Sequence, residues 1–159
     1  MDGCMEPFLP YGAADLTPHA MALGMVQVGA DPDVVVKIPY REDLVGDPDT
    51  GVIAGGVVTT LLDHTSARAV VQALTEPTSI ATLDLRIDYM RPAKPGKDIM
   101  ATAHCYKITR SVAFVRALAY DEDPSDPVAA AQGTFMLDSN AGRPTGANLA
   151  PPTHAGEHG

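Results

Sequence analysis

Tryptophan is absent from this 159-residue chain, and aromatic residues make up only 5% of it, which excludes aromatic stacking platforms for bases or sugars. Cysteine is nearly absent too. Two residues, Cys4 and Cys105, cannot build a disulfide framework or a zinc site alone, and they fit a reduced, cytoplasmic compartment. Basic residues are scarce: 11 Lys and Arg stand against 20 Asp and Glu, for a formal net charge of −9. A general nucleic-acid binder needs the opposite balance to neutralise phosphates. No apolar run approaches the ~20 residues of a membrane-spanning helix. The N-terminus has no basic region, and Glu6 and Pro7 interrupt any apolar stretch, so no targeting segment is expected.

What is present is ordinary globular composition, 45% hydrophobic and 19% charged, in a length that suits one domain. Residues 1–15 read as a loosely ordered arm, 16–138 as the domain, and 139–159 as a disordered tail of Gly, Pro, Asn and Ala. Thr17-Pro18 predicts a short helix with Thr17 as N-cap, stopped by Gly24. Met25–Val28 and Val34–Ile38 read as strands around a turn at 30–33, and 46–51 as a loop. Val58, Leu61, Leu62, Ala69 and Ala73 keep helical spacing from Gly55 to about Leu74. The first half of that helix is apolar nearly all round, which predicts a helix embedded in the core.

The remainder reads as β. Ala81, Leu83, Leu85, Ile87 and Tyr89 alternate with Thr82, Asp84, Arg86 and Asp88. Runs over Ile99–Thr109, Val112–Tyr120 and Val128–Leu137 follow, with 121–126 as a solvated loop, and the whole predicts an antiparallel meander. One long helix followed by antiparallel strands is an α+β layout.

Asp63 is the conspicuous residue, because a carboxylate after Val, Thr and Leu on a central helix is costly to bury. It either serves chemistry, meets solvent or pairs with a base. Gly55 and Gly56 open the same helix, where unpaired N–H groups attract developing negative charge. A plain turn or tight packing would explain the pair equally.

The run Gly51-Val52-Ile53-Ala54-Gly55-Gly56-Val57-Val58-Thr59-Thr60-Leu61-Leu62-Asp63 resembles the signature of hotdog-fold acyl-CoA thioesterases of the phenylacetate-degradation (PaaI-like) and 4-hydroxybenzoyl-CoA thioesterase type. Leu83–Ala93, Lys107–Val115 and Ala131–Phe135 resemble later segments of that family, and the likeness runs from about His19 to Leu137. It implies a hotdog fold, an antiparallel sheet wrapped around the 55–74 helix, in a homodimer or homotetramer whose site is shared between subunits. The implied reaction is hydrolysis of an acyl-CoA with an aromatic or medium-chain acyl group, with no cofactor and no metal beyond coenzyme A in the substrate. Asp63 takes the place of the family's catalytic carboxylate, acting as general base or nucleophile. Gly55 takes the place of its carbonyl-polarising amide, with Gly56 beside the substrate. Thr82 matches a Ser or Thr that helps hold the attacking water, although its alternation with Asp84 and Arg86 also permits a surface threonine. The family's His before the Gly pair is Ala54 here, and its preceding Asn has no clear match.

Coenzyme A carries phosphates, and seven of the basic residues fall between positions 86 and 116, giving that segment +5 after Asp88 and Asp98 are subtracted. Arg91 and Arg110 are the first candidates for phosphate contacts and Lys94 and Lys107 the next. The alternative for each is an ordinary solvated charge. His154-Ala155-Gly156-Glu157-His158 matches an inverted zinc-peptidase pattern but sits in a Gly- and Pro-rich tail rather than a helix. His64 adjoins Asp63, yet neighbours on a helix point about 100° apart, so the two are not a natural dyad. Two rival readings remain: a hotdog protein that binds acyl-CoA without hydrolysing it, and a hotdog hydratase or dehydratase, which would want a His paired with a carboxylate.

Overall fold

The computed structural model describes residues 17–137; the arm at 1–15, the tail at 139–159, Cys4 and the His154–His158 motif lie outside them. Helix α1 (Pro18–Ala22) begins where the Thr17 hydroxyl accepts the Ala20 amide at 3.3 Å, and it ends before Gly24 at φ +68°. Strands β1 (Val26–Gly29) and β2 (Val34–Ile38) follow as an antiparallel pair. The stretch read as a loop at 46–51 is instead the turn of a small hairpin, β3 (Val45–Asp47) with β4 (Val52–Ile53). A short 3-10 turn (Glu42–Leu44) leads into it.

Helix α2 (Gly55–Ala73) is 19 residues long, about 28 Å at the α-helical rise. Its buried face is Val58, Leu61, Leu62, Thr65, Ser66, Ala69 and Val70, the stripe expected of a helix lying across a sheet. Gly56, Thr60, Asp63, Ala67 and Val71 lie off that stripe and all keep some exposure, so one flank of the helix is open among the described residues.

The sheet contains β5 (Ile80–Tyr89), β6 (Ile99–Ile108), β7 (Val112–Tyr120) and β8 (Ala129–Leu137), in the order β1-β2-β6-β7-β8-β5. Only β6-β7-β8 forms the expected meander. Strand β5 skips β6 and pairs antiparallel with β8 at the far edge, because the 90–98 connection carries the chain back across α2's start to the other side. Alternate residues of the inner strands (Ala101, Ala103, Ala113, Val115, Ala117, Ala119, Ala129, Ala131) are buried under α2. Small side chains there let the helix lie close to the sheet. A twisted antiparallel sheet wrapped around one long helix is the hotdog fold.

The 121–126 loop is not wholly solvated. Asp121 is buried, and Arg91 grips its carboxylate through two hydrogen bonds of 2.7 Å each. The Lys94 amide donates to the same carboxylate at 2.8 Å. The Arg91 guanidinium, with these bonds, holds the Asp121 carboxyl well below the usual carboxylate range. Because that pKa is depressed on folding, the stability it contributes is present above pH ~4 and is lost as pH falls further. Breaking a buried pair strands its partner at about 3–5 kcal/mol. Asp121→Asn should therefore lower unfolding free energy by about 3 kcal/mol at pH 7, with the difference shrinking between about pH 4 and pH 2. Urea titrations of both proteins across that range check it, and a pH-independent difference contradicts it.

Candidate active site

The start of α2 is set by the β3–β4 hairpin. The Ala54 amide donates to the Leu44 carbonyl at 2.9 Å, and a Cβ on Gly46 would lie 2.8 Å from the Ala54 Cα, so only glycine fits that crossing. Ala54 is the N-cap and supplies no side-chain acceptor; the Val57 amide turns back to the Ala54 carbonyl at 3.0 Å, which leaves the Gly55 and Gly56 amides without a partner among the described residues. A Cβ on Gly56 would meet nothing within 4 Å, and one on Gly55 would make only ordinary contact, 3.8 Å, with the Tyr89 hydroxyl. Packing within the chain thus demands neither glycine, although each costs the helix about 1 kcal/mol relative to Ala. Together they leave the positive end of the helix dipole open to an approaching group.

Asp63 is half-buried on α2, two turns further on. The Thr82 hydroxyl donates to one of its carboxylate oxygens at 2.9 Å. That contact corrects the strict alternation of the sequence. A β-bulge at Leu83, between Thr82 and Asp84, inserts one residue into β5. It rotates Thr82 away from the Asp84 and Arg86 face and onto the helix side with Leu85, Ile87 and Tyr89. A cavity of about 190 Å³ adjoins Asp63, lined also by Thr60, His64, His19 and Met25. His64 lines it without a hydrogen bond to Asp63, and burial, followed by the nearby Arg68, pushes its pKa down.

Tyr89 at the end of β5 was not singled out by sequence patterning, since it merely ends the apolar set of that strand. Its hydroxyl donates to the Gly55 carbonyl at 2.7 Å and lies 2.7 Å from the Thr59 hydroxyl. A second cavity, about 360 Å³, opens beside it between Gly55, Val58, Val52, Ile53, Met90 and Val128.

The basic segment divides. Arg91 is not the free cation that a phosphate contact needs, because Asp121 takes both of its terminal nitrogens and the Asp126 carboxylate lies 3.1 Å from Nε. Lys94 is paired with Glu122, as is Lys97 at 2.9 Å. Arg86 pairs with Asp88 at 3.1 Å. Lys107 and Arg110 are exposed and make no ion pair among the described residues. They flank the β6–β7 turn at Asp63's end of the sheet, where register aligns Ile108 with Ala113, Ala113 with Phe135, and Phe135 with Thr82. His104 pairs with Asp33 at 2.7 Å on the sheet face opposite α2, so this His–carboxylate pair is remote from Asp63. Among the described residues no cluster of His, Cys, Asp and Glu is suited to hold a metal.

The sequence profile of the Thioesterase superfamily matches residues 50–128, which takes in the second strand of the hairpin, α2, the bulged strand and the acidic loop. A Halobacterium salinarum protein that carries the name of an esterase is 32% identical over 121 residues, 70% of this chain and 78% of that one. The chain belongs to the Thioesterase superfamily. Human acyl-coenzyme A thioesterase 13 is 38% identical over 64 residues, 40% of this chain and 45% of that protein. A mutant of the phenylacetic acid degradation protein PaaI of Thermus thermophilus superposes with a TM-score of 0.65 at 28% identity, over 76% of this chain and 98% of that one. As a PaaI-like member of the Thioesterase superfamily, the chain is a thioester hydrolase.

Gly46, packed against α2's start, and Gly56, open within it, make opposite demands. Gly46→Ala should cost about 1–3 kcal/mol of stability through overpacking, whereas Gly56→Ala should leave it equal or raise it by up to ~1 kcal/mol. Thermal unfolding of both variants checks the ranking, and the reverse order contradicts it.

Proposed function

We propose that this protein hydrolyses acyl-CoA thioesters to the free acid and coenzyme A, with an aromatic or medium-chain acyl group, in sites completed by a second copy of the chain. The observation that carries the reading is the Asp63–Thr82 pair, a carboxylate fixed by one hydrogen bond on the open flank of α2. With one oxygen held by Thr82, the other is available to accept a proton from water. Water attacks the thioester carbon, Asp63 takes its proton, and the collapsing tetrahedral intermediate expels the coenzyme A thiolate. Direct attack by Asp63, which breaks the C–S bond, expels the coenzyme A thiolate and forms a mixed anhydride that water then hydrolyses, reaches the same products. The Gly55 amide, with that of Gly56 beside it, stabilises the oxyanion, and a good donor of this kind is worth roughly 3 kcal/mol.

Helix geometry supports the second copy. Eight residues separate Gly55 from Asp63, about 12 Å along the axis, too far for both to reach one carbonyl. An antiparallel second α2 would set its Gly55 opposite Asp63. The open flank of α2 and the edge of β5, which pairs with no strand on that side among the described residues and exposes Leu83, are the surfaces such a copy would cover. The family resemblance extends the dimer to a tetramer. The apolar cavity of about 360 Å³ beside Gly55 suits the acyl group in size and lining. Arg110 and Lys107 are the free cations best placed for the phosphates, with Arg91 and Lys94 holding the acidic loop instead. Only coenzyme A within the substrate is required, and a reduced, cytoplasmic setting suits the half-buried free thiol of Cys105.

A panel of CoA thioesters with thiol detection tests the reaction. On the best substrate, Asp63→Asn should lower kcat at least about 100-fold with little change in Tm, and Thr82→Ala about 10-fold. Hydrolysis by Asp63→Asn at the wild-type rate would refute the site. Binding of acyl-CoA without release of thiol would instead favour the non-hydrolytic reading.

A further inference from the structure

We propose that Tyr89 is a positioning residue that fixes the Gly56 amide at the start of α2 by holding the Gly55 carbonyl; this rests on the oxyanion role assigned above to the Gly55 amide with that of Gly56 beside it. Tyr89 is 51% exposed, so burial gives little reason for a tyrosine at the end of β5. Its hydroxyl nonetheless crosses from the sheet to the helix and donates to the Gly55 oxygen at 2.7 Å. That carbonyl lies in the first turn, where it also accepts the regular i+4 helical bond, so the contact from Tyr89 is additional. The Thr59 hydroxyl closes a triangle, 2.7 Å from the Tyr89 hydroxyl and 3.1 Å from the Gly55 oxygen. One phenol proton and one threonine proton satisfy it: Tyr89 donates to the carbonyl, and Thr59 donates to the carbonyl or the phenol oxygen.

Peptide planarity carries the effect outward. The Gly55 carbonyl and the Gly56 N–H belong to one rigid unit, so anchoring the oxygen aims the N–H at the open helix end. The constraint matters because two successive glycines are the loosest backbone the helix could start with, and Ala54 has no side chain with which to cap it. The anchor comes from β5, the strand that also carries Thr82. A single strand therefore positions both groups that one chain contributes, Thr82 at the carboxylate and Tyr89 at the helix start, and in the shared arrangement these belong to two different sites.

A donor that is aimed beforehand stabilises the oxyanion more than the ground-state thioester, so loosening it acts on kcat rather than KM. Tyr89→Phe, which removes only the hydroxyl, is expected to lower kcat about tenfold on the best thioester, with KM within about twofold of wild type. Its Tm should stay within about 3 °C, and the Gly56 amide nitrogen resonance of the free protein should shift. Thr59→Ala should give a smaller loss of the same kind. An unchanged kcat, a loss expressed in KM or accompanied by a large fall in Tm, or an unmoved Gly56 resonance would each overturn the proposal. The resonance reports on the anchor even if the wild-type protein releases no thiol from any thioester, an outcome that would refute the hydrolytic reading by itself.

Discussion

The packing of α2 on the sheet is the interaction on which the rest of the structure depends. Its apolar stripe, from Val58 to Val70, is buried against β2, β6, β7 and β8, and the same burial fixes which flank of the helix remains open. Gly56 and Asp63 lie on the flank beside the buried stripe, and Gly55 and Thr59 stay exposed in the first turns of the helix. The helix is therefore both the centre of the core and a ruler about 28 Å long on which an amide end and a carboxylate are set at a fixed spacing. Every feature that positions a candidate group acts against this ruler: Gly46 admits its start, Tyr89 holds its first carbonyl, and Thr82 meets it two turns later.

Electrostatics divides the chain into cations that build the fold and cations left over. Arg91 and Lys94 hold the acidic 121–126 loop close to α2's start, and Asp121 repays Arg91 with a bidentate bond out of water. A guanidinium held by a buried carboxylate cannot exchange that partner for a phosphate without exposing or stranding the acid. The net acidity of the protein thus conceals an internal neutralisation; Arg68, Lys107, Arg110 and Arg116 make no ion pair among the described residues, and of these Lys107 and Arg110 lie at the β6–β7 turn.

The helix and the strands that carry long periodic runs were legible in the sequence because apolar spacing decides them. Pro18 and Gly24 bound α1 as expected, and α2 begins at Gly55. What escaped was non-local. Nothing in the alternation from Ala81 to Tyr89 signals a bulge at Leu83, because a bulge is set by pairing with β8, so alternation alone left a surface threonine open beside the water-holding role that the resemblance implies for Thr82. Strand order escaped for the same reason: β5 pairs across the sheet rather than with its successor. Arg91 read as a phosphate ligand because its partner Asp121 lies thirty residues away. Asp63 was legible as an anomaly, a carboxylate where the pattern wanted an apolar or neutral residue, and the Gly55-Gly56 pair as a helix start without a cap. Tyr89 was not, since only the fold brings its hydroxyl to the Gly55 carbonyl.

The central claim is that Asp63 of one chain works with the Gly55 amide of another. Gly55 is the first helical residue and follows Ala54 at φ −58°, ψ 136°, a geometry that proline accepts, so Gly55→Pro removes the amide donor while the helix can still form. The decisive measurement is thioesterase activity after Asp63→Asn and Gly55→Pro chains, each inactive alone, are unfolded and refolded together in equal amounts. Random pairing makes about half the dimers mixed, each with one intact shared site, so about a quarter of wild-type activity should return. No recovery in a mixture shown to contain mixed dimers would contradict the account, because it would place both groups of each site in the same chain.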